Sequence, residues 1–122
     1  MLVIKRRATL KSYLCNLISE RTGGTSEVLR LQAVSVGVVV VEGEVTGRYL
    51  AMSRQGRLYG SQTLNDECYF LEKYEENHHN TYRSQKYGWY VGLKRNGRPK
   101  AGPLAHRGQK AVLFLPRPAG DV

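Results

Sequence analysis

The stretch that decides the fold is GRYLAMSRQGRLYGS, residues 47–61, because the chain repeats it as GWYVGLKRNGRPKAG at residues 88–102. The two copies are offset by 41 residues, and Arg54 and Gly56 align with Arg95 and Gly97. Each copy is followed by a short loop and an aromatic–aliphatic run, CYFLE and VLFLP. A repeated unit of about 40 residues that cannot bury its apolar face alone must stack on its copies. The pattern therefore predicts an all-β fold of the β-trefoil type.

Short strand-like runs continue on both sides of this pair from Val28 onward. They are rich in β-branched and aromatic residues and are separated by turn signals, as in an all-β domain. Asn96-Gly97 is the strongest turn signal and predicts a type I′ hairpin. We place the trefoil domain at residues 28–118 and a short C-terminal tail at residues 119–122. The predicted strands are VLRLQAV, VGVVVVEG, GRYLAMS, RLYGSQ, ECYFLEK, NTYRSQ, WYVGLK and KAVLFLP.

The N-terminal segment, residues 1–27, differs from the rest of the chain. Apolar residues from Leu10 to Ile18 recur at spacings of three and four, which is typical of one helix face. Thr9 is a candidate cap and Gly23-Gly24 a stop signal, so we predict a short helix over residues 9–22. A first copy of the repeat, 41 residues before Gly56, would place its hairpin near Cys15, inside this pattern. The first repeat is therefore predicted to be incomplete and the segment divergent.

Composition limits the classes of function. The formal net charge is +9 over 122 residues, which predicts affinity for polyanions. The stretch from Lys94 to Arg117 holds seven Lys and Arg residues and no Asp or Glu. No apolar run is long enough for a membrane span or a secretory signal, so neither membrane insertion nor classical secretion is predicted. Cys15 and Cys68 are too few for a disulfide scaffold, and Cys68 is expected to be a buried thiol.

Two other classes fit less well. In the basic stretch the only aromatic residue is Phe114, which we assign to the core, so nucleic-acid binding would be non-specific. Glu72 and Glu75 precede His78-His79, yet no nucleophile, phosphate-binding loop or metal motif accompanies these side chains. We therefore predict no enzyme activity, no metal and no cofactor.

The longer motifs resemble the fibroblast growth factors, most closely the acidic and basic members, over roughly residues 28–118. The resemblance implies a β-trefoil that binds heparin or heparan sulfate as a co-receptor ligand and engages a receptor tyrosine kinase ectodomain. It also implies extracellular localisation by non-classical export, with the cytoplasm and nucleus as further locations. The runs that carry it are GRYLAMS, GRLYGSQT, NDECYFLEK, EENHHNTY, WYVGLKRNG and GQKAVLFLP.

Site residues are carried over position by position. Lys110 is the strongest heparin candidate, because turns beside cations also expose backbone N–H groups to anions. Ala101 and Leu104 stand where the acidic member has arginines, and Arg98 and Arg107 are candidates to compensate. The implied heparin site is Lys94, Arg95, Asn96, Lys100, Gln109, Lys110 and Ala111.

The implied receptor-binding residues are Glu72, Asn77, His79 and Leu115. His79 replaces a tyrosine of the family, and Arg117 replaces an apolar residue. Two hypotheses stay open at this point. The first is a growth factor that signals through the receptor, with signalling weakened by the altered N-terminal segment. The second is a nonsignalling or antagonist trefoil module, extracellular or intracellular and nuclear, that retains polyanion binding.

Overall fold

The computed structural model describes residues 4–9, 28–75, 78–96 and 98–118. This part of the chain is an all-β domain, and its only helical segments are three single 3-10 turns at Asp66–Cys68, Gly102–Leu104 and Lys110–Val112. None of its helices is long and apolar enough to cross a membrane. The strands are β1 Ile4–Thr9, β2 Leu29–Ser35, β3 Val38–Gly43, β4 Tyr49–Met52, β5 Leu58–Ser61, β6 Phe70–Tyr74, β7 Asn80–Ser84, β8 Gly92–Leu93, β9 Pro99–Lys100 and β10 Arg117–Pro118.

All strand pairs are antiparallel. One sheet runs in the order β10-β1-β2-β3-β4-β5, with β6 paired to β3 and β7 paired to β6. The hairpin β8-β9 forms a second, two-stranded sheet. Strand β3 lies at the centre because it pairs with β2, β4 and β6. Its four consecutive valines are all buried, which explains why its sequence lacks the apolar–polar alternation of a half-exposed strand.

The internal repeat is confirmed by strand register. We call residues 47–72 the second repeat and residues 88–116 the third repeat. In the second repeat Met52 pairs with Leu58, and in the third Leu93 pairs with Pro99, each 41 residues further along. The hydrogen bond from Ser53 N to Arg57 O, at 2.8 Å, recurs from Lys94 N to Arg98 O, at 2.7 Å. The repeated sequence therefore builds a repeated hairpin, as the β-trefoil requires.

A single apolar core joins the repeats. Phe114 is 1% exposed and packs edge-on against Tyr82, with ring centroids 6.0 Å apart. Cys68 is fully buried, which confirms the prediction of a buried thiol, and this burial raises the pKa of the thiol. The core cluster consists of Leu29, Leu31, Val39, Val41, Leu50, Met52, Leu58, Phe70, Tyr82, Val91, Leu93 and Phe114.

Two local predictions are wrong, and a third falls mostly outside the described residues. KAVLFLP is not a strand, because Lys110–Val112 forms a 3-10 turn and Phe114 makes only an isolated bridge to Asn80. The prediction of a type I′ turn at Asn96 is also wrong. This turn needs a positive φ at Asn96, and His78 is the only non-glycine residue of the described chain whose φ is positive. Of the helix predicted over residues 9–22, Thr9 ends β1, and the remainder lies outside the described residues.

Candidate functional site

The hairpin β8-β9 presents the first part of the predicted heparin site. Gly92 and Leu93 are buried in the strand, so the chain emerges into solvent at Lys94. Lys94, Arg95 and Asn96 are all exposed. The Asn96 side chain accepts a hydrogen bond from Arg98 N, at 3.0 Å, which stabilises the turn locally. The hairpin therefore holds two cations and an amide at one exposed tip.

Gln109 connects this hairpin to the loop that follows it. Its Oε1 accepts hydrogen bonds from Lys100 Nζ at 3.1 Å and from His106 N at 3.0 Å. The Lys100 head group is thus held beside the loop rather than left free in solvent. The Gln109 side chain thus joins the hairpin, which precedes the 3-10 turn Gly102–Leu104, to the loop that follows this turn.

Small residues allow the two segments to approach. A Cβ atom on Gly92 would lie 3.1 Å from Ala105 Cβ and 3.5 Å from Val112 Cγ1, so the hairpin and the loop are in close contact. Val112 is fully buried and anchors the 3-10 turn that begins at Lys110. Because Val112 points into the core, Lys110 at the start of the turn remains exposed.

All seven residues of the predicted heparin site lie on these two segments. Lys94, Arg95, Asn96 and Lys110 are exposed, and Lys100, Gln109 and Ala111 are partly exposed. Clustered cations on turns with accessible backbone groups can bind an extended anion. That role for the seven residues stays a prediction.

Arg107 does not simply add a free cation to this surface. Its guanidinium lies 3.5 Å from Glu75 Oε1, and the buried Thr81 hydroxyl donates to Glu75 Oε2 at 2.9 Å. These residues, with Gly108 and Leu113, line a cavity of about 380 Å³. The compensation expected from Arg107 is therefore opposed by a carboxylate that partly neutralises it.

A second surface contains the predicted receptor-binding residues. Glu72 Oε2 accepts a hydrogen bond from Tyr82 OH at 2.7 Å and lies 3.5 Å from Asn80 Nδ2. The Asn80 backbone pairs with Phe114 in both directions, at 2.7 and 2.9 Å, and the exposed Leu115 directly follows Phe114. His79 is partly exposed and immediately precedes Asn80.

Asn77 lies outside the described residues, so its relation to Glu72 stays a prediction. Asn80 and Tyr82 were not among the sequence candidates, although both contact the Glu72 carboxylate. The signal that could have indicated them is strand alternation, because residues 80 and 82 fall on one face of a strand that follows Glu72.

A third cluster, which the sequence did not indicate, lies in the second repeat. The Glu67 carboxylate accepts hydrogen bonds from Tyr59 OH and Tyr87 OH, and these bonds lower the pKa of Glu67. Burial, followed by the bond to Glu67, raises the pKa of Tyr59 to about 12. Tyr87 stacks on Trp89 with ring centroids 6.1 Å apart, and beside it Lys86 pairs with Asp66 at 2.9 Å. The cluster cross-links the second repeat to the start of the third.

These features define the class: an all-β domain of trefoil type with a basic surface built from a hairpin and a loop. The sequence matches the family model described as fibroblast growth factor over residues 18–115. "Putative fibroblast growth factor 1" of Danio rerio is 61% identical over 95 residues, which cover 76% of this chain and 65% of that protein. "Fibroblast growth factor 1" of Xenopus laevis is 55% identical over 75% of this chain and 61% of its own length.

A further relative is "Fibroblast growth factor 1" of Cynops pyrrhogaster, 53% identical over 74% of this chain and 63% of its own length. The match thus spans less than two thirds of the length of these relatives. The chain belongs to the fibroblast growth factor family, which confirms the resemblance seen in its motifs.

Proposed function

We propose that this protein is a growth factor that binds heparin or heparan sulfate and engages a fibroblast growth factor receptor, rather than an enzyme. It acts outside the cell, which it reaches by non-classical export. The cytoplasm and nucleus are further locations, and binding to nucleic acid is non-specific there. Membership of the family and the names of its relatives support this proposal.

The observation that carries the glycan-binding part is the bond between Lys100 and Gln109. It joins the hairpin that carries the exposed cations to the loop that carries Lys110, which supports binding of one extended ligand by both segments. Sulfate groups along a glycan are fixed anions, and binding them releases counterions. Preorganised cations bind such a chain without a large ordering cost.

The observation that supports receptor engagement is the grouping of Glu72, Asn80 and Leu115. A carboxylate, an amide and an exposed leucine side chain lie around the Asn80–Phe114 bridge. Protein interfaces combine such polar groups with apolar contact residues. The residues of this surface do not overlap with those of the glycan surface, which is compatible with one molecule holding both partners.

The glycan-binding part is tested by heparin-column chromatography. Lys94→Ala combined with Lys110→Ala should elute at clearly lower salt, and the slope of log K against log salt should fall by about 1.5, because two cation contacts are lost. The control is Lys73→Ala with Arg83→Ala, which removes two exposed cations from β6 and β7. Equal losses in both double variants would mean that net charge alone drives retention, and would refute the assigned site.

Receptor engagement is tested by receptor phosphorylation in cells that lack heparan sulfate. Phosphorylation should appear when soluble heparin is added with the protein. If the protein binds heparin normally but causes no phosphorylation, the agonist proposal is wrong and the nonsignalling alternative replaces it.

A further inference from the structure

The turn between β4 and β5 packs directly on the segment that follows Lys100. Gly102 N donates a hydrogen bond to Gly56 O at 3.0 Å. A Cβ atom on Gly56 would lie 2.7 Å from Pro103 Cδ and 2.8 Å from Gly102 N, closer than real Cβ contacts. The second repeat therefore reaches the third repeat beside its basic surface.

This turn carries two exposed arginines, Arg54 and Arg57. Arg57 directly follows Gly56, and Lys100 lies two residues before Gly102. The 3.0 Å bond between the two glycines therefore limits the distance between the Cα atoms of Arg57 and Lys100 to about 13 Å. Long cationic side chains on both sides can reach one continuous ligand.

The segment between these cations carries no charge of its own. Ala101, Gly102, Pro103 and Leu104 form the 3-10 turn and its approach, and Leu104 is 59% exposed. The next cation along the loop, Arg107, is paired with Glu75. Within the described ranges, neither Arg54 nor Arg57 forms an ion pair with a carboxylate, so both charges are available.

The turn is also preorganised. Ser53 N donates to Arg57 O at 2.8 Å, and Arg57 N donates to Ser53 Oγ at 3.1 Å. Gly56 has φ of +82°, a conformation that other residues rarely adopt, so the turn is fixed by its own sequence. An anion that contacts Arg54 or Arg57 need not order the backbone.

We propose that Arg54 and Arg57 form a second contact for the sulfated glycan, separated from Lys100 and Lys110 by the uncharged turn Gly102–Leu104. This inference rests on the proposed glycan binding and extends it, because it assigns a longer ligand to the surface. A short oligosaccharide occupies Lys100, Gln109 and Lys110 alone. A long chain continues across the turn to the two arginines.

The test uses heparin oligosaccharides of two lengths, a tetrasaccharide and a dodecasaccharide, in calorimetric titrations with the full chain. Arg54→Gln with Arg57→Gln should weaken dodecasaccharide binding by about tenfold and lower the salt slope by about 1.5, because two contacts are removed. Tetrasaccharide binding should change by less than about twofold, because its contacts are untouched. Arg54→Lys with Arg57→Lys keeps the charges and should restore most of the dodecasaccharide affinity.

The control double variant, Lys73→Gln with Arg83→Gln, removes the same charge from elsewhere on the domain. The inference is overturned if this control weakens dodecasaccharide binding equally, if the two arginine substitutions weaken both oligosaccharides alike, or if they change neither. Failure of the wild-type protein to bind either oligosaccharide would overturn the proposed function and this inference together. Normal wild-type binding with an unaffected arginine variant would overturn only the inference.

Discussion

The second and third repeats share a backbone and differ in charge. Tyr59 and Lys100 occupy matching positions in the two hairpins, 41 residues apart. In the 3-10 turns that follow, Asp66–Cys68 matches Lys110–Val112, so Asp66 takes the place of Lys110 and Glu67 that of Ala111. The same scaffold thus presents an acidic, tyrosine-lined cluster in one repeat and a basic surface in the other. Cys68 and Val112 are buried at matching positions of the two turns, so the core holds the two backbones alike. The charge of each repeat is therefore set by its loop residues.

The two loops also differ in length. Seven positions separate Tyr59 from Asp66, whereas ten separate Lys100 from Lys110. The longer loop contains the 3-10 turn Gly102–Leu104, which contacts Gly56 of the second repeat. The extra length therefore serves contact between repeats as well as display of basic residues.

The largest effect is expected from Gly56→Ala, which disturbs that contact. The new Cβ would meet the backbone of Gly102 and the ring of Pro103 below 3.0 Å, and the positive φ would be strained. Strain of about 1–2 kcal/mol together with a clash of about 1–3 kcal/mol should reduce the free energy of unfolding by about 2–5 kcal/mol. Chemical denaturation of both proteins measures this difference.

The matched control is Gly88→Ala. Gly88 has φ of +80°, but a Cβ there would meet nothing within 4 Å, so only the strain of about 1–2 kcal/mol applies. Equal losses for the two variants would show that the Gly56–Gly102 contact adds nothing beyond backbone conformation.

The features that depend on residues close along the chain could be predicted from the sequence. The two hairpins were predicted from the repeat because their strands are close along the chain, as Met52 is to Leu58 and Leu93 to Pro99. Phe114 was correctly assigned to the core. The prediction of a strand over Lys110–Val112 was wrong, because a short apolar run does not distinguish a strand from a buried 3-10 turn.

Features that join distant residues could not be predicted. Ile4–Thr9 forms a strand because β2 and β10 pair with it, and neither partner adjoins it in sequence. Arg107 was counted as a free cation because its partner Glu75 lies 32 residues earlier. In the same way, nothing local brings Gly56 beside Gly102 or Tyr87 beside Glu67.

A smaller effect is expected from Glu67→Gln. This substitution removes the negative charge of the carboxylate that accepts hydrogen bonds from Tyr59 and Tyr87. At pH 7 the free energy of unfolding should fall by about 1 kcal/mol, since hydrogen bonds to a partly exposed carboxylate are discounted by solvent. The bonds from Tyr59 and Tyr87 lower the pKa of Glu67 in the folded protein. Its contribution is therefore present above the unfolded pKa, about 4.3, and is lost as the pH falls through the lower folded value.

The difference between wild type and Glu67→Gln should accordingly begin to shrink as the pH falls below about 4.3 and should vanish below the lower folded pKa of Glu67, as measured by thermal melts across pH. Asp66→Asn is the control, because Asp66 is exposed and bonds only to the solvent-facing Lys86 in the described chain, so little change is expected. A difference that persists unchanged at low pH would mean that packing, and not charge, accounts for the effect of Glu67.

The smallest effect on stability is expected at Gln109, the counterpart of Asn65. Gln109→Ala removes the acceptor for Lys100 Nζ and His106 N and should lower the free energy of unfolding by about 0.5–1 kcal/mol.

Gln109→Glu keeps an acceptor for both donors, so the stability of this variant should stay near that of wild type. Its negative charge neutralises Lys100, however, and should shift heparin elution to lower salt. Asn65→Ala should cost about 1 kcal/mol by loss of the bond from Glu67 N, without changing elution. If Gln109→Glu elutes with wild type, Lys100 does not contribute to glycan binding, and the difference in charge between the repeats has another role.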